Sequence, residues 1–290
     1  LPNPETPLAW LDPTLASQFE VTRYLLVATC GMFAWDLLTN LRNDYKLLTR
    51  YRVGLPTVIY FISRIFTFAF IICGTIISVG AVGNCQHLLI AIGCCFAIAV
   101  TSNSLLFFFR LRAVFNADPY TIAFFSFMVL ATFGGGITVP FGISGTHIGT
   151  TNRCLQNGVR AFSSAGIVIS TVNDTLVFIA ITWRLLQTTT YEDTLRARVK
   201  SFFKREGLPA FARALLESGQ EYYLRVHHTD FTLTSFIYLL FSRITVGGNI
   251  LTMAMIFAPA SLPAIYHAMF TVPNIAIANS MACRVYRNIK

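Results

Sequence analysis

The stretch Leu88–Phe109, LLIAIGCCFAIAVTSNSLLFFF, carries no charged side chain and ends on Arg110. A helix needs about 20 mostly apolar residues to cross the hydrocarbon of a bilayer. This stretch meets that length without a break. It is also too long for a strand. The chain around it repeats the pattern. Of its 290 residues, 54% are hydrophobic and 12% are charged, about half the charged fraction of a soluble domain. The predicted fold class is all-α: a polytopic membrane protein built as a seven-transmembrane helix bundle. The spans are read at 19–40, 54–81, 86–110, 119–142, 159–187, 231–257 and 262–284.

Basic residues in the connections set the orientation. One side collects Arg42, Lys46, Arg50 and Arg52, then Arg110 and Arg112, then a basic run after the fifth span, then Arg284, Arg287 and Lys290. The other side has Arg23, Arg153 and Arg160. The N-terminus is therefore expected outside and the C-terminus in the cytoplasm. This divides the chain into an extracellular segment (1–18), helices one to five (19–187), a cytoplasmic loop (188–230), and helices six and seven with a basic end (231–290). Leu1–Glu20 holds prolines and acids and has no long apolar core, so no signal peptide is read there. The expected location is the plasma membrane or another secretory-pathway membrane. The net charge of +9 is assigned to loops on one membrane face, with no nucleic-acid partner.

The loop is amphipathic. Arg196, Arg198, Lys200, Lys204 and Arg205 alternate with Leu195, Val199, Phe202 and Phe203. Basic residues beside aromatic ones suit anionic lipid head groups. A docking surface for a cytoplasmic partner is the second reading. Across the membrane, Cys85 precedes the third span and Cys154 lies in the loop GISGTHIGTTNRCLQNG (142–158). Both would face an oxidising compartment, and a disulfide between them is expected. Pro140 suggests an early end to the fourth span and Pro273 a kink in the seventh. Gly134–Gly136 either loosens the fourth helix or lets a neighbour pack closely.

Ionisable groups inside spans are costly and face the bundle interior. Arg64, Asp174 and Arg243 fall near mid-depth. An Asp174–Arg243 ion pair is expected, with Arg64 as a third member. Asn103, Asn249 and Asn274 add polar neighbours, as does Asn279. One reading is interhelical glue; the other is a polar core that switches or floors a ligand pocket. Two arginines sharing one carboxylate would favour an acidic or carbonyl-bearing ligand. No catalytic motif stands out: there is no HExxH, P-loop or GxSxG, and the five histidines are scattered. No span as drawn contains a lysine, which excludes a retinal Schiff base, and no cofactor is expected. Cys283 reads as a plain thiol, with palmitoylation as the alternative.

Seven spans with an outer N-terminus, and cysteines placed as Cys85 and Cys154, resemble a G-protein-coupled receptor. Cys85 and Arg110 are 25 residues apart, the separation of the helix-three Cys and the signalling Arg in the rhodopsin-like class. Arg110 stands in Phe-Arg-Leu, without that class's preceding acid. Span six lacks Cys-Trp-x-Pro and span seven lacks Asn-Pro-x-x-Tyr. Arg110 and Arg112 therefore carry two readings, cytoplasmic coupling and membrane anchoring. A second resemblance covers nearly the whole chain. RVGLPTVIYFISRIFT (52–67), SLLFFFRLRAVF (104–115), TVPFGISGTHIG (138–149), TVNDTLVFIAITWRL (171–185), FKREGLPAFARALLESGQEYYL (203–224) and ANSMACRVYRNIK (278–290) are similar to seven-span integral membrane proteins of basidiomycete fungi. The first part resembles a fungal domain of unknown function. This resemblance implies the fold and assigns no activity.

The expected function is that of an orphan receptor-like protein binding a lipid or a small apolar or weakly acidic ligand. Its expected partners are membrane lipids, a cytoplasmic protein such as a G protein, and a second copy of itself. The alternative is a non-signalling scaffold, lipid carrier or channel. A membrane enzyme ranks third.

Overall fold

The computed structural model describes residues 11–50, 53–115, 118–149, 151–159, 161–189, 247–255 and 269–289. Within them the chain is almost wholly helical. The long helices are α1 (Pro13–Thr49), α2 (Leu55–Val79), α3 (Cys85–Val114), α4 (Pro119–Gly142) and α5 (Ala161–Thr189). A helical piece, α6, spans 247–255. The last helix, α7, spans Thr271–Ile289. Helices α1 to α5 are each long and apolar enough to cross a membrane, which marks the chain as a polytopic membrane protein. The remaining parts of the sixth and seventh expected spans lie outside the described residues, as does most of the loop 188–230.

The helix starts follow local chemistry. The Asp12 carboxylate accepts a hydrogen bond from the Thr14 amide at 3.3 Å. The Asn84 side chain accepts from the His87 amide at 3.2 Å, and Asp118 from the Thr121 amide at 3.0 Å. These are N-caps that satisfy amides left open by the first turn. Pro13, Pro56 and Pro119 occupy first-turn positions, where a missing N–H is harmless. Pro140 does not end α4 early. It sits in the last turn, and the helix continues to Gly142. Helix α1 also runs past the expected boundary at 40, to Thr49, with Lys46 exposed in its last turn.

Helix α3 is the hub. It packs against α2, α4, α5 and α7. Its Leu89, Phe96 and Val100 join Phe33, Phe70 and Ile71 in the main apolar core. The small residues of α4 work by close approach. A Cβ on Gly136 would stand 3.1 Å from the Ala97 Cα, one on Gly93 2.8 Å from the Pro140 Cα, and one on Gly166 2.5 Å from the Gly135 carbonyl oxygen. Backbone thus meets backbone along α3, α4 and α5, as small residues permit in membrane bundles. The opposite face of α4 carries Tyr120, Phe124, Phe127, Leu130, Phe133, Ile137 and Phe141, all exposed. Steps of three and four place them on one stripe. Such a stripe suits lipid rather than water.

The segment read as a loop between the fourth and fifth spans is a β-hairpin. Strand β1 (Ile143–His147) pairs antiparallel with β2 (Cys154–Val159), with His147 opposite Cys154. Gly149 takes φ 54° in the turn, a conformation that costs glycine little. A disulfide joins Cys154 to Cys85, the first residue of α3, with Cα atoms 5.7 Å apart. Gln86 Nε2 donates to the Ile143 carbonyl at 3.2 Å, and the Val82 amide to the Asn152 carbonyl at 2.8 Å. The hairpin is therefore fastened across the ends of α2 and α3.

Candidate functional site

Polar residues gather in three layers between the helices. The layer farthest from the hairpin is ionic. Arg64 on α2 is 3% exposed, and its Nη2 lies 3.1 Å from Asp36 Oδ2 while its Nη1 lies 3.2 Å from Asp44 Oδ2. Arg287 on α7 reaches Asp44 Oδ1 at 3.7 Å. Tyr60 sits at the centre. Its hydroxyl donates to Asp44 Oδ1 at 2.5 Å and accepts from Arg64 Nη1 at 2.9 Å and Arg287 Nη1 at 2.7 Å. Asn40 Nδ2 supports Asp36 at 3.1 Å, and Thr57 meets the Tyr286 hydroxyl at 2.9 Å. Two guanidinium groups face two carboxylates, so the layer is close to neutral.

This corrects the expected place of Arg64. It does not join Asp174, and it contributes no cationic surplus to that site. Its partners come from α1. Asp36, Asn40 and Asp44 repeat every fourth residue and so share one helix face. Tyr60 and Arg64 do the same on α2. That periodicity was the available signal for Asp44 and Tyr60. It was missed because a span ending at 40 leaves Asp44 in a loop.

The middle layer is made of amides. Asn103 Oδ1 on α3 accepts from Asn279 Nδ2 on α7 at 2.7 Å and from the Ser63 hydroxyl on α2 at 2.5 Å. Cys283, one turn beyond Asn279, is fully buried with its Sγ 3.7 Å from Asn279 Oδ1. A thiol buried and hydrogen-bonded in this way agrees with the plain-thiol reading.

The third layer lines a cavity among α3, α5, α6 and α7. Asn103, Ser170, Thr171, Asp174, Asn249 and Asn274 supply its polar wall, and Phe96, Val100 and Ile275 part of its apolar one. It is small, about 20 Å³, with room inside for about one water-sized body. Asn274 Nδ2 donates to Asn249 Oδ1 at 2.8 Å, and Asn249 Nδ2 reaches Thr175 Oγ1 at 3.4 Å. Gly248 makes room for this: a Cβ there would stand 2.6 Å from Asn274 Oδ1. Three oxygens of the lining, Asp174 Oδ1, Asn274 Oδ1 and Thr271 Oγ1, are buried without a hydrogen-bond partner. Among the described residues no cation pairs with Asp174.

The structure thus gathers Asn103, Asp174, Asn249 and Asn274 around one cavity and removes Arg64 to another layer. Arg243 lies outside the described residues, as do Arg196, Arg198, Lys200, Lys204 and Arg205. Arg110 and Arg112 occupy the last turns of α3, the first half-buried and in contact with its surroundings, the second exposed. At the hairpin, His147 Nδ1 lies 3.5 Å from Cys85 Sγ. With Cys154 they form a group of metal-ligand type, but both sulfurs are committed to the disulfide. Comparison with protein-family models finds no matching family, and comparison with curated proteins finds no match.

Proposed function

We propose that the chain is a receptor-like seven-helix membrane protein that holds a lipid or small molecule at the mouth of the cavity beside Asp174, with only a water-sized group of it reaching inside. The observation that carries this is the course of α7. It contributes Asn274 to the cavity, Asn279 to the amide layer and Arg287 to the ionic layer. The first and last of these are about 20 Å apart at helical rise. One rigid element therefore touches the cavity and the far end. A ligand that binds two positions of α7 unequally would shift its equilibrium. The acceptor-rich lining favours a ligand that donates hydrogen bonds. The weakly acidic ligand expected from a cationic surplus loses the support of Arg64.

In this reading the hairpin end faces outward, consistent with its disulfide. The basic ends of α1, α3 and α7 face the cytoplasm. Arg110 and Arg112 then stand where a partner such as a heterotrimeric G protein would dock, and the basic loop run meets anionic lipid. The test is recovery of a heterotrimeric G protein with the purified full chain. Recovery that falls at least 10-fold in Arg110→Ala or Arg112→Ala, with the variants folded, supports a receptor. A folded chain that recovers no such partner, and copurifies with ordered lipid instead, supports the scaffold or carrier alternative.

A further inference from the structure

We infer that Cys85, Cys154 and His147 form a zinc site in the dithiol state of the protein, so that a metal ion and the disulfide are alternative closures of one hairpin. The inference stands apart from the cavity and from the receptor reading. The three side chains offer two sulfurs and a ring nitrogen, and these atoms lie within 4.8 Å of one another. His147 Nδ1 is 3.5 Å from Cys85 Sγ and Nε2 is 3.7 Å from it. Zinc holds sulfur at about 2.3 Å and nitrogen at about 2.0 Å in a tetrahedron, which sets a sulfur–nitrogen edge of about 3.5 Å. The imidazole already stands on that edge. The sulfur–sulfur edge is about 3.8 Å by the same construction. Sulfurs released from their bond separate to contact distance, so cleavage itself makes the remaining edge. The oxidised protein gains little from this histidine, because a disulfide sulfur is a weak acceptor.

The ligands stay together when the bond is cut. His147 faces Cys154 across the ladder, and the Ile148 amide donates to the Arg153 carbonyl at 2.8 Å to close the turn. Gln86 and Val82 hold the hairpin to the ends of α2 and α3. None of these bonds involves the disulfide. Both cysteines are buried and His147 is exposed. A fourth position beside the exposed ring is left to water, as in zinc sites with three protein ligands. Two thiolates offset the charge of the ion, so the closed cluster is neutral. Thiolate and imidazole donors suit zinc, whereas calcium and magnesium take oxygen. The two states differ by two electrons. A phosphine gives two electrons to the disulfide and takes an oxygen from water, and the two protons of that water finish on the sulfurs as thiols. Zinc then displaces both protons and binds the thiolates, with His147 neutral. A small-molecule disulfide reverses this. It accepts two electrons and two protons to become two thiols, Cys85 rejoins Cys154, and zinc leaves.

The test uses the full chain in detergent under argon. One sample stays oxidised, and another is reduced with a phosphine that is then removed. Each is titrated with zinc against a chromophoric chelator. The reduced wild type should take up one zinc per chain that the oxidised wild type does not. Cys85→Ser and Cys154→Ser should each lose that zinc. His147→Ala should weaken it at least about 10-fold, the scale on which even outer-shell changes act. This last variant keeps the disulfide, so its oxidised form should melt with the oxidised wild type. It keeps the test decisive if the cysteine variants misfold. Zinc should also restore part of the melting temperature lost on reduction, and slow reoxidation by a small-molecule disulfide. A reduced wild type that binds no zinc overturns the inference, and slower reoxidation of His147→Ala without zinc would then assign the ring to proton transfer at the disulfide. Uptake unchanged in both His147→Ala and Cys154→Ser also overturns it, since the metal would sit on the remaining thiols. So does equal uptake by the oxidised chain.

Discussion

Replacing Arg64 by methionine removes one cation from the ionic layer while keeping most of the side-chain volume. Breaking a buried ion pair on one side costs roughly 3–5 kcal/mol, because the partner charge is left uncompensated. The geometry points to the lower end. Asp44 keeps the Tyr60 hydroxyl at 2.5 Å and Arg287 at 3.7 Å. Asp36 has a side chain 27% exposed and keeps the Asn40 amide at 3.1 Å. A loss of about 3 kcal/mol is expected, or a fall of about 6–10 °C in melting temperature. Arg64→Lys should not rescue it, since one ammonium cannot present two separate donors to Asp36 and Asp44 as the guanidinium does. Adding Asp36→Asn to Arg64→Met should recover part of the loss, with a coupling of about 1 kcal/mol in a double-mutant cycle. The exposed Arg42→Gln should stay within about 0.5 kcal/mol of wild type. The assay is thermal unfolding of the purified chain in detergent. An Arg64→Met protein that melts with the wild type, or an additive double mutant, would refute the assignment of these residues to one network.

Two further outcomes follow from packing and covalent closure. Gly166→Val should destabilise by about 1–3 kcal/mol through overpacking, because its Cβ would fall 2.5 Å from the Gly135 carbonyl. Gly134→Ala, where nothing lies within 4 Å, should melt with the wild type in the same assay. Cys154→Ser opens a loop of 69 residues, so the loss should approach about 4 kcal/mol by chain entropy. Reduction of the wild type with a phosphine should reproduce the lower melting temperature and leave Cys154→Ser unchanged.

The long apolar runs made helices α2, α3 and α4 legible to within a few residues, because lipid demands unbroken hydrophobic length. The same criterion shortened α1. Its last turns mix polar and apolar residues, and a hydropathy reading takes Asp44 and Lys46 for a loop. One helix face of that segment is in fact the partner of Arg64. The hairpin was hidden for a related reason. Ile143–His147 is ISGTH, whose Ser, Gly and Thr read as a connection. Its strand character comes from pairing with β2 rather than from local preference. The Cys85–Cys154 bridge was legible, since position along the chain put both sulfurs on one side. The cavity was legible only as a set of polar residue types. Which arginine would face Asp174 depends on helix rotation, and sequence spacing between separate helices does not carry it.

The disulfide at the head of α3 also has a mechanical meaning. It makes one end of that helix a fulcrum. The bond at Cys85 and the hydrogen bond from Gln86 clamp α3 to the hairpin. Arg110 lies 25 residues away, a lever arm of about 37 Å at helical rise. A tilt of about 5° that scarcely displaces the clamped end would swing the arginine end by about 3 Å, the lever arm being set by the helical rise. A pivot about that clamp would turn a small angular adjustment of α3 into a lateral step of several ångströms at the opposite surface.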